Sequence, residues 1–295
     1  IGINSQPSLA ILYSVPYADF RLDYDLTQPL TWIETNFTGT LDGNGRTLSV
    51  NRNLFKGVYG SRGDTPPENG GPDIEANLAK GYIYSLNIVV TGEITTGVLG
   101  SVYGGTVKTV KLTGDASAYL RIYGGLSSNT GGLINTLRGN AYVYGCFTNL
   151  PVNITTADAN NIGGLIGHLN AEKARIENCG SNADISSDAT LPNVGSLIGG
   201  ISANEGKLLN CFAAGKVQRG GHIAIGNKLA NHLVENLYWS LKDTNPANQA
   251  TVLPVNNISE SDSVIEWKFD EGDFGFVPTD GGVNSIHLTV PPSVT

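Results

Sequence analysis

Three cysteines and four histidines are the residues of this chain best suited to chemistry: a thiolate attacks or ligates, and an imidazole moves protons or binds zinc. Their spacing supports neither use. His168, His222, His232 and His287 never fall at helical or knuckle spacing, and there is no His-Glu-x-x-His, so no zinc site or zinc-peptidase centre is assigned. Cys146, Cys179 and Cys211 are evenly spaced, their two intervals differing by a single position. Their odd number rules out a fully paired disulfide framework, and their even spacing is that of a repeat. The expected state is reduced and buried, a ladder of thiols on strands about 4.8 Å apart, because free Cys packs as a small hydrophobe.

Other chemistries fail on similar grounds. Gly206-Lys207 is followed by Leu208 and lacks the upstream glycine of a phosphate loop, where Ile201 stands instead. No Gly-x-Gly-x-x-Gly opens a helix after a strand, and no Gly-x-Ser-x-Gly elbow occurs. The stretch "LDGNGRTL" has Asn53 where a twelve-residue calcium loop needs a bidentate Glu. Acid–base attack on a polysaccharide needs charged residues gathered on one outward face, but Asp115, Arg121, Arg138, Asp158, Glu172, Arg175 and Glu177 scatter over different columns of the repeat. No catalytic residue, cofactor or metal is therefore expected, and the chain is read as not an enzyme.

A net charge of −8 and a pI near 5.0 argue against nucleic acid or an anionic membrane surface as partner. No apolar run approaches the roughly 20 residues of a membrane span, so no membrane insertion by this segment is expected. The chain starts at Ile1, which is compatible with a removed export signal or anchor. A monomer is expected.

The elements that position these residues follow from the repeat. With 38 Gly, no Met and few long Ala/Glu/Lys/Leu runs, the composition favours turns and strands over helix. Laying "LNIVVTGEI" over "LNCFAAGKV" pairs Ile88 with Cys211 and gives an apolar ladder of Ile88, Val110, Cys146, Cys179, Cys211 and Leu237. Three residues earlier stand Ser85, Val107, Val143, Ile176, Leu208 and Val234. Six later come Ile94, Ala116, Val152, Ile185, Val217 and Asp243, and the failure at Asp243 marks the end of the array. The column four before the ladder, Tyr84, Thr106, Tyr142, Arg175, Lys207 and Leu233, has the mixed chemistry of an outward surface. A second signature ends at Gly100, Asn135, Gly167, Gly199 and Gly226, in "TGVLG", "GGLIN", "GGLIG", "GSLIG" and "IAIG".

Each repeat is thus strand, turn, strand, loop, with no room for a crossover helix. The fold expected is all-β, a right-handed parallel β-helix (solenoid) with N- and C-terminal caps, in which each turn buries its apolar face against its neighbours. The interval from Ile88 to Val110 suits one turn, and the longer intervals that follow are turns carrying loop insertions. A β-sandwich or β-prism would also give alternating patterns but would not predict matching columns. Residues 1–80 are read as an N-terminal cap and first coils, with Asp42-Gly43 and Asn44-Gly45 as tight turns and a long Gly/Pro loop near 60–75. Residues 81–243 hold the repeats, and 244–295 a C-terminal cap or extension.

Here the residues resemble a known family. "GGLIGHLNAEKARIENCGSNADI" and "GSLIGGISANEGKLLNCFAAGKV" are similar to consecutive copies of the GLUG motif. The lead-in "LDGNGRTL" and the closing "VENLYWS" extend the likeness over about 37–240. Such repeats occur in bacterial adhesins and in non-catalytic regions of IgA-cleaving peptidases. The resemblance implies an extracellular or cell-surface scaffold, adhesin-like, binding a host or cell-envelope glycan or protein. The alternative on the same fold is a polysaccharide lyase or glycoside hydrolase. Tyr84 and Tyr142, placed in one outward column, are candidate contacts, though strand propensity alone also accounts for exposed tyrosine. Arg62-Gly63-Asp64, on the predicted loop, resembles the tripeptide of integrin ligands, a match that arises by chance often enough to stay weak.

Overall fold

The period of the cysteines is laid out in space as parallel strand pairing. The computed structural model describes residues 1–5, 7–29, 35–60, 80–124, 128–170, 173–187, 193–202, 206–213, 215, 217, 224–228, 233–239, 263–269, 276–279 and 286–290. In it Tyr142–Tyr144 pairs with Arg175–Glu177, and Arg175–Glu177 with Lys207–Ala213, so the interval between successive cysteines is also the interval between paired strands. Parallel neighbours need a long connection. That connection is made of strands which are themselves paired with their copies in the next repeat.

The path is clearest from Tyr142. The chain runs through the longest sheet (Tyr142–Tyr144, Phe147–Thr148), a four-stranded sheet (Val152–Ile154), a three-stranded sheet (Asn160–Gly163) and a seven-stranded sheet (Ile166–Leu169). It then re-enters the long sheet at Arg175–Glu177, beside its starting strand. With 55% strand and 4% helix among the described residues, and long parallel sheets, the protein is all-β and compatible with a parallel β-helix. Ser263–Phe269, Phe276–Thr279 and Ile286–Val290 form a separate antiparallel sheet.

The interior is a set of apolar columns, and the register corrects one of them. Val110 pairs with Leu86, and Cys211 with Leu237. Pairings on either side place Val110 beside Cys146, Cys146 beside Cys179 and Cys179 beside Cys211. The ladder is therefore Leu86, Val110, Cys146, Cys179, Cys211 and Leu237, all 0% exposed. Ile88 does not belong to it, because it pairs with Leu112 and Leu48. The first interval runs to Val110 from Leu86 rather than from Ile88, a slip of two that left the face unchanged because strand side chains alternate with period two. With the slip removed, the column three residues earlier begins at Ile83, not Ser85, and reads Ile83, Val107, Val143, Ile176, Leu208 and Val234.

Residues three apart in a regular strand face opposite sides, yet both of these columns are buried from the first repeat through Leu208 and Cys211. The backbone explains it. The residue just before each ladder position is left-handed: Ser85 (φ 53°), Thr109 (φ 51°), Gly145 (φ 61°), Asn178 (φ 54°) and Asn210 (φ 52°). A left-handed residue at this place in each repeat turns the strand and returns the next side chain to the core, as a bulge does. Asn and Gly tolerate that conformation best, which is why Asn precedes Cys in "ENCG" and "LNCF".

A second correction concerns Ala116. The next column is Ile94, Leu120, Val152, Ile185 and Val217. Ala116 instead lies on an exposed turn at residues 115–117, closed by Asp115 Oδ1 accepting from the Ser117 amide and hydroxyl at 2.8 Å each. Asp243 lies outside the described residues. The Gly-rich signature, by contrast, is in register throughout: Leu99, Ile134, Ile166, Ile198 and Ile225 pair in succession. Gly132 and Gly164 stand where backbones of neighbouring repeats meet, the Gly132 amide donating to the Gly164 carbonyl at 2.9 Å.

The chain ahead of Gly60 continues the same sheets. Thr40–Asp42 and Thr47–Val50 both pair parallel with Tyr82–Val90. Asn44 (φ 49°) and Gly45 (φ 69°) therefore form a bulge between two collinear strands and do not reverse the chain, although their dipeptide is a hairpin signal. Leu9, Leu12 and the stacked Phe37–Phe55 pair (centroids 4.4 Å apart) fill the core there.

Candidate functional site

The outward face of the long sheet carries the densest chemistry among the described residues. Strand alternation buries Ile83 and Val143 and turns their neighbours out. One column on that side is Asp19, Thr40, Tyr82, Thr106, Tyr142, Arg175 and Lys207, in which Thr106, only 1% exposed, is buried rather than part of the open surface. The other, two residues on, is Arg21, Asp42, Tyr84, Lys108, Tyr144, Glu177 and Leu209. Tyr84 and Tyr142 thus share a face but not a column, a correction with the same two-residue cause as Ile88. Tyr82 and Tyr144, absent from the sequence reading, complete the set. The Tyr-x-Tyr pattern in "GYIYSL" and "AYVYGC" was the signal for them, since residues two apart on a strand share a face.

The four rings form two clusters. Tyr82 and Tyr84 meet edge to face with centroids 6.0 Å apart, and Tyr142 and Tyr144 are tilted at the same separation. Lys108 Nζ lies 5.5 Å from the Tyr144 ring centroid, and the Arg175 guanidinium 5.9 Å from that of Tyr142. The Tyr142 hydroxyl donates to Glu177 Oε2 at 3.1 Å, and Arg175 Nη2 reaches the same oxygen at 2.9 Å. Burial, then the Glu177 carboxylate, pushes the Tyr142 phenol up to about 12, so it stays protonated at neutral pH. Burial and the nearby Asp42 raise Tyr84 in the same way.

A shallow open groove of about 480 Å³ runs beside this cluster, lined by Asn140, Ala141, Tyr142, Lys173 and Arg175. The carboxylates of the face are engaged. Glu177 holds Arg175 and Tyr142, Asp42 Oδ1 accepts from the Asn44 amide at 2.8 Å, and Asp19 takes Lys80 Nζ at 2.6 Å. That lysine hydrogen bond is the main reason Asp19 titrates below the usual carboxylate range.

The remaining candidates are placed elsewhere. Cys146, Cys179 and Cys211 are free and buried, and no group of three His, Cys, Asp or Glu side chains is set to hold a metal among the described residues. His168 sits between Thr136 and Gly200 on the seven-stranded sheet, with Nε2 2.9 Å from Ser202 Oγ; burial and Arg138 lower its pKa. Asp115 closes a turn and Arg121 faces Glu93 at 3.5 Å, both away from the groove. Arg62, Gly63, Asp64 and Glu172 lie outside the described residues. No described helix is long and apolar enough to cross a membrane.

Residues 158–186 match the family model of the GLUG motif. The chain carries a GLUG repeat. The matched GLUG segment holds the strands Asn160–Gly163, Ile166–Leu169, Arg175–Glu177 and Gly180–Ser181 and the start of Ile185–Ser187, and so enters each of the four parallel sheets. Its Gly163, Gly164 and Gly167 lie where backbones meet, its Asn178 is the left-handed residue before the ladder and its Cys179 a ladder step. The GLUG pattern is thus a recipe for one layer of parallel sheet, and it specifies none of the tyrosines of the outward face. No curated protein and no solved structure matches the chain.

Proposed function

We propose that the chain is a right-handed parallel β-helix that serves as a non-catalytic, adhesin-like scaffold, secreted or on the outer surface of a bacterial cell. It binds a host or cell-envelope glycan or protein through the outward face of the long sheet, and it acts as a monomer. The observation that carries this reading is the pair of two-tyrosine clusters, Tyr82–Tyr84 and Tyr142–Tyr144, on one sheet face, with Lys108 and Arg175 against the rings of the second. Rigid amphipathic rings on a sheet offer contact area at little cost in conformational entropy.

Extracellular placement is supported by the resemblance of the GLUG repeats to those of surface proteins. Residues 1–80 would cap one end, where Leu9 and Leu12 of the short helical segments Pro7–Ala10 and Ile11–Ser14 are buried, and residues 244–295 the other. A non-catalytic role is supported by the engagement of Asp19, Asp42 and Glu177, since a lyase or glycosidase needs two carboxylates, or one and a base, held for the substrate. A glycan and protein array probed with the chain and with Tyr142→Ala, run beside a polysaccharide turnover assay, tests the reading. Binding that Tyr142→Ala weakens is expected. Turnover of any polysaccharide would end the scaffold reading in favour of an enzyme.

A further inference from the structure

We infer that the groove beside Tyr142 takes a carboxylate-bearing saccharide, of the uronic or sialic acid class. The inference rests on the binding role proposed above and names its ligand chemistry.

The first observation is a like-charge pair. Arg175 and Lys207 are direct partners on adjacent parallel strands, in a column that faces outward. Like charges directly opposite across strands destabilise a sheet. Lys173 lines the groove two residues before Arg175 and adds a third cation. Glu177 answers one of them, and Glu172 and Glu205 stand near Lys173 and Lys207 in the sequence, but the described lining of the groove itself holds two cations, Lys173 and Arg175, and no carboxylate, on a protein whose net charge is −8. A local excess of that sign, on a chain otherwise acidic, is complementary to an anion.

The second observation is the shape and furnishing of the groove. Its volume, about 480 Å³, falls within the range of small-ligand sites. Ala141, 1% exposed, sits low on one wall, and the Asn140 side chain can exchange hydrogen bonds with a sugar hydroxyl. Tyr142 is anchored by its hydroxyl on Glu177, which holds the ring as a fixed stacking surface beside the cations. Glu177 also fixes one end of the Arg175 fork, and a guanidinium so oriented suits the flat geometry of a second carboxylate. Ring, amide and cations side by side match an acidic pyranose better than an acidic peptide, whose backbone would seek a free strand edge rather than a sheet face.

Calorimetric titration of the full chain tests this with four probes at low ionic strength. They are an oligogalacturonide, a sialylated oligosaccharide, a neutral oligosaccharide of similar length and a polyglutamate peptide. At least one acidic saccharide is expected to bind, more weakly as salt rises, while the neutral one does not. The Lys173→Gln/Arg175→Gln double variant should lose about tenfold or more, the scale of lost charge-assisted bonds. Arg121→Gln, the loss of one positive charge on another sheet, should change nothing. Thermal melts establish that the variants are folded; if the double variant is not, Lys207→Gln, an exposed side chain, takes its place with a smaller loss in the same direction. Neutral saccharide binding as well as acidic, or an unchanged double variant, overturns the acidic ligand and leaves the binding role standing. Binding of polyglutamate alone also overturns it. If no probe binds and the arrays are equally blank, both readings fall.

Discussion

The Cys146 amide donates a hydrogen bond at 3.4 Å to Sγ of Cys179, the residue that occupies its place one repeat later. Cys179 and Cys211 stand in the same relation of register, and every sulfur donates to a main-chain carbonyl, as Cys211 does to Leu209 at 3.2 Å. Burial pushes the Cys146 and Cys211 thiols well up, so they remain protonated and poor nucleophiles. The native protein is expected to be inert to an aromatic disulfide reagent and to release three equivalents on unfolding. Modification of any of the three before unfolding would contradict the buried ladder. Cys179→Ser, which places a stronger hydrogen-bonding group in the same dry column, should cost about 1–3 kcal/mol in denaturant titration.

The left-handed residue before each ladder position yields a second prediction. Asn178 has φ 54°, and Gly145 holds the equivalent place one repeat earlier. Asn178→Ala should destabilise by about 1–2 kcal/mol, the cost of forcing a Cβ-bearing residue without a local hydrogen bond into that conformation. Asn178→Gly should be close to neutral. Equal losses for Ala and Gly would mean that the asparagine side chain, and not its backbone angle, is what the position needs.

These positions also show what could be read from the chain. Cys146, Cys179 and Cys211 were legible because neighbouring repeats differ in length by a single position. The Gly-rich signature was legible because glycine recurs where backbones come close, at Gly132 and Gly164, although Ser196 holds the same place one repeat later. The first repeats were misaligned by two positions because "LN" at Leu86 matches "LN" at Leu209, and alternation keeps Ile88 and Leu86 both apolar. Periodicity cannot detect a slip of two; pairing can. Ala116 was misplaced because the turn at residues 115–117 lengthens that repeat without disturbing hydropathy. The outward site was half legible, since Tyr84 and Tyr142 were found while their partners Tyr82 and Tyr144 required the face to be assembled.

Gly164 makes the corner argument testable. A Cβ there would run into the Ser196 carbonyl oxygen, with Ser181 Oγ and Ala183 Cβ also in the way. Ser196 Oγ is itself bonded to the Ala183 carbonyl at 3.3 Å, so the obstacle is fixed main chain. Gly164→Ala should lower stability by about 1–3 kcal/mol or more through overpacking. Gly92→Ala provides the comparison, because nothing stands within 4 Å of its would-be Cβ and its φ of +73° leaves only the backbone penalty. A Gly164→Ala melt no lower than that of Gly92→Ala would sink the close-approach account.

The pH dependence of stability should fall into two windows with different owners. Burial first, and then Arg138, hold His168 below the usual histidine value of 6.5. The unfolded chain therefore binds a proton more readily than the folded one, and stability falls as pH drops from about 6.5 to the lower folded value. Asp19 is depressed chiefly by its Lys80 hydrogen bond, so its contribution is present above the unfolded value of 3.8 and is lost as pH falls through the lower folded value. The melting temperature should therefore decline between neutral pH and pH near 5 in a way that His168→Thr reduces. Thr136 fills the same site one repeat earlier, so that replacement suits the sheet. Asp19→Asn should leave the upper window alone and flatten the acid one. If His168→Thr melts with the same slope as the parent between neutral pH and pH near 5, protonation of His168 does not govern that window.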